Sequence, residues 1–145
     1  MAMQTIDMIE MNRREIDCPC RSEVLQSLKL GDLVYLDGPI FTGREGLYHR
    51  LIDEEVEFPV PFEAVSNVNF HCSPAAVPTE TGYNVRAVTA TASFRFGKWM
   101  HAFFEKTGCR VIIGKGGMAS SDYRRLFVPH GAIYLTTVGY GLGAT

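Results

Sequence analysis

The sequence is sparing with cysteine, has no long apolar run and carries almost no net charge, and each shortage closes off a class of protein. Four cysteines in 145 residues are too few for a small disulfide scaffold, and Cys18 and Cys20, separated only by Pro19, sit too close for an easy mutual bridge. The four are scattered without CxxC spacing, so they read as reduced thiols rather than as ligands of a metal or an iron–sulfur cluster. No apolar run reaches the roughly 18 to 20 residues of a membrane span. The N-terminus lacks the basic-then-apolar layout of a secretory signal, so a cytoplasmic protein with no membrane partner is expected. A formal net charge of −2 offers no broad field for nucleic acid or an anionic bilayer; any anion binding has to be local. Also absent are a Walker loop around Lys115 and an HExxH arrangement among His49, His71, His101 and His130.

What is present is ordinary globular material. Hydrophobic residues make up 46% and charged residues 21%, enough for one domain that buries roughly two thirds of its unfolded surface. Residues 1–21 show no convincing period and read as an N-terminal arm, leaving 22–145 as the domain. Val24, Leu25 and Leu28 predict a short helix from Ser22, and Leu33-Val34-Tyr35-Leu36 a strand closed by Asp37-Gly38-Pro39. The glycine-bearing segment from Phe41 becomes helix-like around Leu47 and Leu51, with Arg44 at its start, and ends by Pro59 and Pro61. Residues 64–72 and 84–91 alternate as strands, with a turn-rich loop over 73–82 between them. Phe96, Met100, Phe103 and Phe104 mark an amphipathic helix over 94–107 stopped by Gly108. A strand at 111–113, a short helix from Ser120 and a strand over 132–138 follow, and the glycine-rich finish at 139–143 suggests that the chain continues past Thr145. Strands alternating with helices argue for an α/β layered domain, a sheet with flanking helices.

Chemistry concentrates at three junctions. Lys115 sits in Gly114-Lys115-Gly116-Gly117, where glycines allow close approach of the main chain and an ammonium adds full positive charge. The plain alternative is a surface lysine in a tight turn. Arg44, flanked by Gly43 and Glu45, can clamp a carboxylate with paired hydrogen bonds or pair with its acidic neighbour. Thr91 and Arg95 lie at a strand-to-helix junction, where a threonine serves as a cap or as a reactive hydroxyl. None of the histidines earns a role, and Asp32, Asp37 and Asp122 are explained by turns and caps.

Taken together these pieces resemble the β subunit, or C-terminal domain, of the iron–sulfur class I fumarate hydratase and L-tartrate dehydratase family, over about residues 22–139. The most specific stretch is Glu105 to Met118, similar to the family's strand and GKG loop. Gly31-Asp32-Leu33-Val34-Tyr35-Leu36-Asp37-Gly38, Thr42-Gly43-Arg44 and Phe70-His71-Cys72-Ser73-Pro74 support it. The resemblance implies a swivelling β/β/α domain that closes over a partner domain or α subunit holding a 4Fe–4S cluster and an acidic catalytic residue, in a hetero-oligomer acting on a small dicarboxylate. It places a substrate-clamping arginine at Arg44, a catalytic threonine at Thr91, a second arginine at Arg95 and the GKG lysine at Lys115, with no metal ligand in this chain.

In such a hydro-lyase the cations would hold two carboxylates and stabilise the charge that grows as the C3 proton leaves, and the cluster would supply Lewis-acid chemistry for the hydroxyl. The family's GPTT run is Thr89-Ala90-Thr91-Ala92 here, and its RDxxH and RMDSY runs are Arg44-Glu45-Gly46-Leu47-Tyr48 and Arg95-Phe96-Gly97-Lys98-Trp99. These departures leave room for another hydroxy acid, or for a binding or assembly module of the same fold without catalysis. An unrelated anion-binding α/β protein built on the Lys115 loop is the third reading.

Overall fold

The structure, a computed structural model, describes residues 11–138. At its centre four parallel strands lie in the order β3 (Phe41–Thr42), β4 (Val68–Phe70), β7 (Val111–Gly114) and β8 (Ile133–Thr136). Val111 registers against both Val68 and Ile133. A parallel sheet covered on both faces needs apolar residues without interruption, and Val111-Ile112-Ile113 supplies them. Successive side chains then split between two cores. Ile112 joins Tyr48, Phe96, Phe103 and Phe104 on one face, while Val111 and Val68 join Ile16 and Leu25 on the other, with Ile113 packed against them.

The second face is covered by a small sheet, β1 (Arg13–Asp17) parallel to β2 (Leu33–Asp37), with helix α1 (Ser22–Gln26) between them in the chain. Strand β1 lies within the stretch read from sequence as an arm. Only Ile16 of its five residues is buried, so it carries no alternating signal, and it is its pairing to β2 that makes it a strand.

The first face is covered by α4 (Gly97–Thr107), entered through a 3-10 turn at Phe94–Phe96. Trp99, Met100, Phe103 and Phe104 point inward, and Gly108 ends the helix at φ 68°, its N–H bonded to the Phe104 carbonyl. The apolar spacing and the glycine stop therefore form the helix where the sequence places it. Helix α2 (Glu45–Tyr48) widens into a π-turn at His49–Asp53, and α5 (Ser120–Asp122) into another at Tyr123–Phe127 followed by a 3-10 turn at Val128–His130. The α2 extension is tied to α4 by the Trp99 indole N–H, 3.1 Å from each Asp53 carboxylate oxygen. The layers run β, β, α, and the chain is an α/β domain. Among the described residues no helix is long and apolar enough to cross a membrane.

Two segments differ from their sequence reading. Residues 64–72 are not one strand: α3 (Phe62–Val65) starts after Pro61, and β4 begins only at Val68. The expected loop over 73–82 holds a strand, β5 (Ala75–Thr79), which pairs antiparallel with β6 (Gly82–Ala87) to make a hairpin; β6 falls on the strand expected over 84–91 but stops at Ala87. Every residue of both strands is exposed, so no buried face imposes alternation, and the local turn alone brings them together. The expected last strand is shorter, ending at Thr136, and the glycine-rich finish lies outside the described residues.

Candidate functional site

In a parallel sheet the strand ends release their carbonyl-side loops along one edge, the usual place for ligands in α/β folds. Here β3 ends into Gly43 and Arg44, β4 into His71 and Cys72, and β7 into Lys115. The fourth contributor, residues 89–95, is stitched to this edge by main-chain bonds. The Thr91 N–H donates to the His71 carbonyl at 2.6 Å, Lys115 N–H to the Thr91 carbonyl at 3.4 Å, and Ser93 N–H to the Lys115 carbonyl at 3.2 Å.

Arg44, Thr91, Arg95 and Lys115 thereby line one open pocket of about 450 Å³, together with Ser73, Thr89, Ala90, Ala92 and Phe94. All four residues singled out in the sequence come together. The lining holds three cations and no carboxylate, a composition that favours a small anion bearing more than one negative charge. A neighbouring recess shares Arg44, Ser73 and Arg95 and adds His49, Arg50 and Cys72. Among the described residues neither Arg44 nor Arg95 forms an ion pair, so the pairing of Arg44 with Glu45 considered from sequence does not occur. Thr91 is not a helix cap either: the 3-10 turn before α4 starts at Phe94, and its N-cap is Ser93, which makes no side-chain capping bond.

Beneath the pocket runs a buried polar chain that sequence reasoning missed. The Asn69 amide donates to the Tyr48 hydroxyl, which contacts His71 Nε2; His71 Nδ1 lies 2.7 Å from Ser93 Oγ, and Ser93 Oγ 2.9 Å from the Tyr134 hydroxyl. With Asn69 as donor, the Tyr48 proton is left for Nε2, so Nδ1–H points to Ser93. Burial alone pushes His71 down to about 3, so the imidazole is neutral, and burial likewise lifts Tyr48 well above the ordinary phenol range. His71 is the hub. Its ring links α2, which Arg44 immediately precedes, to the segment of Thr91 and Arg95, and its main-chain N–H bonds the Ile113 carbonyl at 2.8 Å, next to the Lys115 loop. Gly114 is forced by this chain, because a Cβ there would stand 2.0 Å from Ser93 Oγ and 2.8 Å from the Tyr134 hydroxyl. The only sequence trace of the network is a histidine inside an otherwise apolar strand end, Phe70-His71-Cys72.

The cysteines do not fit an iron–sulfur cluster. Cys18 and Cys20, 3.9 Å apart at sulfur, belong to the core on one face of the sheet and Cys109 to the core on the other. Burial pushes the Cys20 and Cys109 thiols up to about 12 and Cys72 to about 11, as expected of thiols packed into a core.

Comparison with known proteins supplies a family. The family model described as the fumarase C-terminus matches residues 2–145. A Geobacillus stearothermophilus protein provisionally named a class I fumarate hydratase is 31% identical over 125 residues, 86% of this chain and 23% of its own length. The L(+)-tartrate dehydratase subunit beta of Escherichia coli K12 is 31% identical over 106 residues, 73% of this chain and 52% of its own. A Methanocaldococcus jannaschii protein provisionally named for the same subunit is 28% identical over 116 residues, 79% of this chain and 59% of its own. The chain thus spans from about a quarter to somewhat over half the length of these relatives. On the match of the family model over nearly its whole length, this chain belongs to the fumarase C-terminus family.

Proposed function

We propose that this chain is the β-type half of an iron–sulfur hydro-lyase that adds or removes water on a small dicarboxylate of the fumarate, malate or tartrate kind. The observation that carries this reading is the acid-free pocket where Arg44, Arg95 and Lys115 meet beside Thr91. The two guanidiniums offer paired N–H donors to the two carboxylates, and Lys115 adds a compact charge on the third side. Loss of a proton from the carbon next to a carboxylate drives negative charge onto that carboxylate, and fixed cations stabilise this charge more than the ground state. Thr91, half-buried at the pocket wall, is the hydroxyl in place to exchange that proton. An alkoxide forms with difficulty at neutral pH, so the surrounding cations are what make the role accessible.

Since this chain's thiols do not fit a cluster, the 4Fe–4S group of this reading belongs to an α subunit or domain, together with an acidic catalytic residue. The active form is then a hetero-oligomer, working in the cytoplasm. Co-expression with a cysteine-bearing α partner tests it. The reconstituted enzyme should hydrate or dehydrate a dicarboxylate, and Thr91→Ala or Arg44→Ala should lower kcat/KM by about 100-fold or more. A Thr91→Ala complex with the full rate would remove the threonine from the chemistry. A pairing that forms but turns over no dicarboxylate would favour the alternative of a binding or assembly module.

A further inference from the structure

Away from the pocket, three ligand-bearing side chains meet on the surface of α4. His101 and Glu105 lie one helical turn apart on it, 3.6 Å from His101 Nε2 to a Glu105 carboxylate oxygen. His130, at the end of the 3-10 turn after α5, brings its Nε2 to 3.1 Å from His101 Nδ1. Taking one ligand atom from each residue, all three lie within 4.8 Å of one another.

From this geometry we infer a surface site for a borderline divalent ion of the zinc class at His101, Glu105 and His130. Neighbouring donors bonded at about 2.0 to 2.1 Å in a tetrahedron stand about 3.4 Å apart. The two imidazoles already approach that spacing through His101 Nδ1, and the exposed Glu105 carboxylate, which now lies nearer the other nitrogen of that ring, turns toward Nδ1 to complete the set. Two imidazoles and a carboxylate suit zinc, cobalt or nickel better than magnesium or calcium, which prefer all-oxygen shells. The fourth position faces solvent and takes water. The ligands are not a chance of floppy side chains alone: the Phe104 ring backs His130 at 5.4 Å between centroids, and the i, i+4 spacing on α4 fixes the other two. Arg110 lies within electrostatic range of His130 and opposes a cation, but its Nη1 is held by the Phe104 and Cys109 carbonyls.

The site sits at the other end of the sheet from the pocket. His130 precedes the first residues of β8, and Glu105 belongs to the last turn of α4, which leads into the start of β7. Metal there staples α4 to the turn before β8, a stabilising role separate from the hydro-lyase chemistry proposed above.

The test uses the untagged full chain titrated with Zn2+ and, separately, with Co2+. Saturable one-to-one binding is expected, with the cobalt spectrum of a nitrogen and oxygen site and a thermal midpoint that rises with zinc concentration. His101→Asn, His130→Asn and Glu105→Gln should each weaken binding by at least about tenfold, since even the loss of a supporting residue costs that much. His49→Asn should leave it unchanged. Circular dichroism without metal checks that each variant stays folded, His101 and Glu105 being exposed and His130 half-buried. Binding that survives all three substitutions, a cobalt spectrum of thiolate type, or no saturable binding would each overturn the assignment, whether or not the hydro-lyase reading holds.

Discussion

His71 has given up its charge to sit where it does. A histidine whose folded pKa is lowered, here from its usual value to about 3 by burial, contributes stability that is complete above its unfolded pKa of about 6.5 and is lost as pH falls toward the folded value. Within that window the loss is about 1.4 kcal/mol per pH unit. Denaturant unfolding at pH 7 and pH 5 should therefore show the native chain losing about 2 kcal/mol more than His71→Gln, which can still donate and accept hydrogen bonds. Equal losses in the two proteins would mean that the imidazole is not held neutral. At this scale the sequence was uneven in what it disclosed. Arg44, Thr91, Arg95 and Lys115 stood out because glycines, hydroxyls and a family likeness mark them. His71 did not, because its meaning rests on Tyr48, Asn69, Ser93 and Tyr134, which are scattered along the chain and meet only when folded.

Among the elements, α4 was the easiest to foresee and is the most heavily committed to packing. Phe103 is fully buried and stacks edge-on against Tyr48 at 4.8 Å between centroids, with Phe41 and Phe62 also in contact. Phe103→Ala should cost about 3 to 5 kcal/mol by equilibrium unfolding. It also loosens the Tyr48 hydroxyl that holds His71, so the damage should reach the pocket. A cost below about 1 kcal/mol would mean that the core collapses around the gap. Strands β1 and β5 were hidden for a common reason: a strand is legible when one face is buried and the other wet. β1 buries one residue and β5 none, so the partner strand defines each of them. The boundary at β4 was blurred by α3, whose few residues show no helical period of their own.

For the molecule as a whole, the charge pattern sets what the chain does when alone. With three cations lining the pocket and a net charge of only −2 over the whole chain, the attraction for anions is local and, being open to solvent, sensitive to salt. The isolated chain is expected to bind a dicarboxylate weakly in an NMR titration, with perturbations around residues 44, 91, 95 and 115. Affinity should fall as ionic strength rises and fall again for the matching monocarboxylate. Indifference to the second carboxylate would argue against a two-armed grip, and turnover by the chain alone would overturn the division of labour proposed for it. The hairpin from Ala75 to Ala87 leaves the body between Cys72 and Ala90, which are themselves joined as a bridge. That closure makes the excursion a splice point: it can be trimmed, lengthened or exchanged for a foreign peptide while the rim of the pocket keeps its shape, giving evolution and protein engineers alike a way to alter the reach of this face at little cost to folding.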